Sequence, residues 1–217
     1  MHFNENRLSA LESRYKARLI NSLSGFKSAN LVGTISANAQ AQGITNLAIV
    51  SSVFHLGANP PLVGMIIRPH SVTRDTLENI EATGVYTLNQ VSSSFWKQAH
   101  QTSARYDADI SEFDVTGLSE HFRENIAAPF VKESALSYAL KVVEITTLAV
   151  NDTVMVIGEV TDIFVEDDAV MEDGYIDIEK LNTVAISGLD AYHVTQRLGR
   201  LAYAKPDVPT QCLGEDE

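Results

Sequence analysis

Residues 43–80 read GITNLAIVSSVFHLGANPPLVGMIIRPHSVTRDTLENI. Two apolar runs, TNLAIVSSVF and PLVGMIIR, flank a Gly57-Ala-Asn-Pro-Pro61 turn, the pattern of two consecutive strands. Thr73 can cap a helix running through Ile80, with Asp75 in its first turn and Gly84 as its stop. Ser51, Ser52, Arg68, Ser71, Thr73 and Arg74 gather at the ends of these elements. Groups of that kind either cap and solvate loops or hold a phosphate.

Before this stretch, Leu8, Leu11, Tyr15, Leu19 and Leu23 recur at helical spacing, and Gly25 follows. One amphipathic helix over about 5–25 is expected. NLVGTIS reads as a further strand. After residue 80, VYTLNQV is a strand and SSFWKQAHQTS a short helix. Residues 104–128 are polar and without a period, and read as a binding loop or lid. ALSYALKVVEITTLAV and TVMVIGEVTDIFVED form a long strand pair across Asn151-Asp152, a hairpin signal. IDIEKL allows one helical turn, and TVAISGLDAYHV resumes extended chain. Six or seven strands and three or four helices result, without regular alternation. That argues against a doubly wound sheet and for a mainly β, antiparallel barrel with peripheral helices. One domain over 1–206 and a mobile acidic tail over 207–217 are expected.

Composition narrows the function classes. The chain has 217 residues, 45% of them apolar, and a formal charge of −12. An acidic chain is repelled by DNA and by anionic membrane surfaces, so neither nucleic acid nor membrane is an expected partner. Cys212 is the single cysteine, so no intrachain disulfide forms. The opening MHFNENRLSALESRYK lacks the apolar core of a signal peptide, and no run approaches the ~18 residues of a membrane span. A cytoplasmic protein is expected.

Motif chemistry is mostly negative. His2, His55, His70, His100, His121 and His193 show no metal-ligand spacing, and no metal is expected. No nucleophile elbow, Walker loop or dinucleotide fingerprint is present. On their own, Ser51 and Ser52 read as one packed and one solvated hydroxyl. Arg68 and Arg74 add rigid donor forks suited to phosphate oxygens, and the helix start at Thr73 adds backbone donors. Together these neighbouring contributions favour an anion site over a solvated rim. AHQTSARY, residues 99–106, either brackets a polar ring edge or simply ends a helix with polar groups.

The order of these pieces resembles the flavin reductase-like, FMN-binding split-barrel family, including its flavoredoxin-like branch. The carrying segments are NLVGTIS, the Ser51-Ser52 strand end, Pro60-Pro61-Leu62-Val63, Thr73 to Thr76 and Gly84 to Asn89. AHQTSARY, SEFDVTGL and GLDAYHVTQRLGRLAYAKP complete the set, from about Ser28 to Pro206. The resemblance implies a Greek-key split β-barrel that binds FMN at a homodimer interface. It implies flavin contacts from Asn46, Ser51, Ser52, Arg68, Thr73 and Thr76, and further from Arg74, His100, Thr102, Ser103 and Tyr106. It implies hydride transfer from NAD(P)H to flavin with no dedicated protein acid or base. A flavoredoxin-like electron carrier, and a flavin-binding module without turnover, are the alternatives. The residues do not choose between NADH and NADPH, nor name the final electron acceptor.

Overall fold

A computed structural model describes residues 1–37, 43–69 and 75–214. In chain order the helices are α1 (Glu5–Ser9), α2 (Ser13–Ser22), α3 (Asp75–Thr83), α4 (Trp96–Gln101) and α5 (Glu112–Thr116). The strands are β1 (Lys27–Ser28), β2 (Asn30–Ile35), β3 (Thr45–Val50), β4 (Val53–Ala58), β5 (Pro61–Ile67) and β6 (Val85–Gln90). They continue as β7 (Glu120–Arg123), β8 (Ile126–Val131), β9 (Leu136–Thr147) and β10 (Val154–Val165). The last four are β11 (Val184–Ser187), β12 (Ala191–Val194), β13 (Arg200–Leu201) and β14 (Cys212–Leu213).

Seven strands form one antiparallel sheet in the order β3-β2-β6-β9-β10-β5-β4. Its two edge strands, β3 and β4, are consecutive in the chain and joined only by Ser51-Ser52. A single extended run therefore pairs with β2 in its first half and with β5 in its second. The change of partner at Ser51-Ser52 curls the sheet toward closure. The hairpin expected at Asn151-Asp152 joins β9 to β10, with Asp152 at φ 58°.

Alternation along β2 shows how the sheet is buried on both faces. Val32 joins Met65, Tyr86, Leu88, Leu140 and Val156 in one core cluster. Its neighbour Leu31 points the other way, into a second cluster with Leu47, Phe95, Phe113 and Ile186. Successive strand residues face opposite sides, so near-continuous apolar runs were needed for a two-sided core. Asn89 bolts β8 across this sheet. Its Nδ2 donates to Leu31 O (3.1 Å) and Thr87 Oγ1 (3.0 Å), and its Oδ1 accepts from Val131 N (2.9 Å). Gly33 permits the crossing, since a Cβ there would lie 2.2 Å from Pro129 O.

Two elements differ from expectation. The N-terminal helix is two helices, because the Glu12 carboxylate accepts from Arg14 N and Tyr15 N and so begins a new one. The segment expected to be irregular, 104–128, contains α5, β7 and the start of β8. Elements of four or five residues are too short to show a period. Elsewhere, β13 pairs with β14, Arg200 opposite Leu213 and Leu201 opposite Cys212. No helix among the described residues is long and apolar enough to cross a membrane.

Candidate functional site

Ser51 and Ser52 sit where the extended run changes partner. Ser52 O accepts from Ile66 N at 2.9 Å, which fixes the joint against β5 two residues before Arg68. Among the described residues, neither serine hydroxyl nor the Arg68 guanidinium has a hydrogen-bond or ion-pair partner. Arg68 and Ser52 are exposed and Ser51 is half-buried. Thr73 and Arg74 lie outside the described residues.

Asn46 and Thr76 meet directly, since Thr76 Oγ1 donates to Asn46 Oδ1 at 2.7 Å. Thr34 Oγ1 also donates to Asn46 Oδ1 (3.3 Å), and accepts from Asn79 Nδ2 (3.1 Å). Asn46 Nδ2 donates to Glu112 Oε2 at 2.8 Å, and Leu47 N donates to the same oxygen at 2.8 Å. The Asn46 amide is thus committed inside the protein, and the residue is only 8% exposed. Thr76 likewise gives its one hydroxyl proton to Asn46. Together they tie β3 to the start of α3.

Thr102 is 3% exposed. Its hydroxyl donates to Ala99 O (2.8 Å) and accepts from Ile49 N (3.0 Å), pinning the end of α4 to β3 just before Ser51. Ser103 Oγ turns back to His100 O at 2.7 Å. Tyr106 OH accepts from Gln101 Nε2 at 2.8 Å. His100 Nδ1 lies 3.0 Å from Tyr192 OH, and Trp96 packs on the Tyr192 ring. Burial, aided by the Asp190 charge, pushes the Tyr192 phenol up to about 12, so it stays protonated. The structure thus brings Ser51, Ser52 and Arg68 to one end of β3, with Thr102 behind it and Asn46 and Thr76 on its flank.

Reading the sequence missed Glu112 and Tyr192. Glu112 lies in the aperiodic segment, and its partners Asn46 and Leu47 are more than sixty positions away. It is 7% exposed. Desolvation raises its pKa, outweighing the N–H bonds from Leu47 and Asn46 that pull it down. The residues beside it are also tied to β3: Ser111 Oγ and Thr45 Oγ1 are 2.8 Å apart, and Thr45 Oγ1 bonds Glu120.

Charge separates the two ends of β3. A cavity of about 340 Å³ at its start is lined by Thr45, Ser111, Asp109, Asp114, Glu120 and Phe122. Three carboxylates there oppose an anion. The Ser51-Ser52 end, beside Arg68, is the end suited to one.

A model of the flavin reductase like domain matches residues 24–180. A crystal structure of a candidate flavin reductase with a split barrel domain from Shewanella frigidimarina NCIMB 400 is similar over 94% of this chain and 100% of that one. It has 57% identity and a TM-score of 0.89. Nitrilotriacetate monooxygenase component B from Bacillus cereus shares the fold at 20% identity and a TM-score of 0.78, over 91% of this chain and 96% of that one. Flavoredoxin of Desulfovibrio vulgaris (Miyazaki F) does so at 21% identity and a TM-score of 0.67, over 84% and 92%.

Proposed function

We propose that this chain, which belongs to the flavin reductase like domain family, is an FMN-binding oxidoreductase that takes hydride from NAD(P)H and passes electrons to an acceptor. The carrying observation is the β3–β4 joint, where two serine hydroxyls and an arginine side chain, none with a partner among the described residues, stand together. That donor set fits a phosphate monoester, which favours FMN over an unphosphorylated flavin. When bound, the flavin supplies the redox chemistry itself.

The chain's own residues then have binding and orienting roles. Ser51, Ser52 and Arg68 hold the phosphate, together with Thr73 and Arg74 of the neighbouring segment. Asn46, Thr76 and Thr102 keep β3, α3 and α4 in place around them. Ser103, Tyr106 and the His100–Tyr192 pair border the ring side. No side chain need act as acid or base.

A second subunit belongs to the proposal. Phe54, Leu56, Val143 and Ile163 are exposed on β4, β9 and β10, strands within the sequence β9-β10-β5-β4 of the sheet. Exposed large apolar side chains of this kind suit burial against a second copy. Equilibrium sedimentation with flavin bound is expected to give a dimer, and a monomer at micromolar protein would remove this part.

The test of the whole reading is titration of the purified protein with FMN, followed by anaerobic addition of NADH or NADPH. Binding followed by loss of the visible flavin band supports the reductase. Binding without bleaching by either nucleotide favours an electron carrier, the second reading, which the shared fold with a flavoredoxin supports. Absence of flavin binding overturns both.

A further inference from the structure

We propose that Glu112 is a positioning residue for the flavin site, fixing β3 directly and the start of α3 through Asn46. This rests on the FMN reading above. One carboxylate oxygen, Oε2, receives both Leu47 N and Asn46 Nδ2 at 2.8 Å. The first bond sets the strand that runs on to Ser51-Ser52. The second orients the Asn46 amide so that its Oδ1 faces α3, where it accepts from Thr76 at 2.7 Å. Without the carboxylate, the longer Thr34 bond to Oδ1 (3.3 Å) and Thr76 itself would be left to hold the amide, which turns over more easily. Glu112 thus links β3 and α3, the two elements that flank the proposed site.

The choice of a carboxylate for this place carries a cost. Burying the charged form is unfavourable, and desolvation raises the Glu112 pKa. A residue kept there despite that cost is explained by the two donors it receives. The rest of α5 is secured independently. Phe113 is 1% exposed in the core, and Ser111 bonds Thr45 at 2.8 Å. Removing the carboxylate therefore loosens β3 and α3 more than it unseats α5.

The full-length protein tests this with Glu112→Leu, Glu112→Gln and a control, Leu181→Ala, in a separate small core cluster. FMN affinity is read by fluorescence quenching, bound-flavin geometry by visible circular dichroism, and stability by melting without flavin. Both donors end on one oxygen, which an amide oxygen can replace, so Glu112→Gln is expected to match the parent. Glu112→Leu is expected to raise the Kd for FMN about tenfold and to alter the visible dichroism. Leu181→Ala should lower the melting temperature yet leave the Kd alone. Parental affinity and dichroism in Glu112→Leu would overturn the proposal, as would an equal affinity loss in Leu181→Ala. If Glu112→Leu does not fold, Thr76→Val breaks the next link and is expected to weaken FMN binding, and unchanged binding there also overturns it. Failure of the parent protein to bind FMN appears in the first titration and removes the underlying reading with this one.

Discussion

A Cβ on Gly158 would stand 2.4 Å from the phenol oxygen of Tyr86. Gly158 lies in β10 at a register shift against β9, and Tyr86 is fully buried in the barrel interior. The glycine leaves room for the ring. The hydroxyl has no hydrogen-bond partner among the described residues, and burial raises its pKa well above the ordinary tyrosine value. Gly158→Ala is therefore expected to destabilise by about 1–3 kcal/mol through overpacking. Tyr86→Phe removes an unsatisfied buried group and is expected to be neutral or stabilising by up to ~1 kcal/mol. Denaturant unfolding of both, and of the double variant, tests the contact, because Tyr86→Phe should relieve part of the Gly158→Ala loss.

Arg68→Ala is expected to weaken FMN about tenfold, the size of one lost charge-assisted contact at an exposed site. Riboflavin, lacking the phosphate, should be held as before, and the melting temperature should not change. Equal loss for both ligands would show that Arg68 acts on the ring or the fold. No loss for Arg68→Ala, with loss for Arg74→Ala, would move the phosphate contact to Arg74.

Glu112 gives stability a signature at mildly acidic pH. Its folded pKa is raised above the ordinary value of 4.5, by desolvation first and with Asp75 adding to it. Between those two values the native protein holds a proton that the unfolded chain has lost, so stability falls as pH rises through that window. Above the folded value the loss is complete. Urea unfolding across the window should show this decline in the parent and not in Glu112→Gln. A flat parent profile would mean that the carboxylate is not desolvated as its burial indicates.

Asn89→Ala is expected to cost about 2–3 kcal/mol, since it strands the buried Val131 N–H and removes donors from Leu31 O and Thr87 Oγ1. Hydrogen exchange at Val131 should quicken by more than global unfolding explains. A change in overall stability with no local change at Val131 would contradict the bolt described for β8.

What the residues disclosed depended on how local the determinant was. Asn151-Asp152 and Gly84 act on their own turns, and the structure has the β9–β10 hairpin and a left-handed Gly84 after α3. The paired runs around Pro60-Pro61 likewise became β4 and β5, paired antiparallel with a bulge between His55 and Gly57. The donor cluster was visible because its residue types are distinctive. The frame behind it was not. Asn46 was legible as a polar residue in a strand, but its partners Glu112 and Thr76 come from elements far along the chain. Glu112 sits in a helix of five residues, too brief to impose a pattern on its surroundings. Tyr192 looked like strand filling, and only the packing of β12 against α4 gives it His100 and Trp96 as neighbours.

The joint at Ser51-Ser52 also bears on what this protein would become if damaged. Both margins of the seven-stranded sheet belong to one uninterrupted stretch of backbone, so neither is presented as a loose ribbon end. A single proteolytic nick between the two serines would cut that stretch into two independent margins. β3 would stay tied to α5 and α4 through Leu47 N and Ile49 N, while β4 would gain a free end beside β5. On the FMN reading, a phosphate held at the two serines would shield the bond between them.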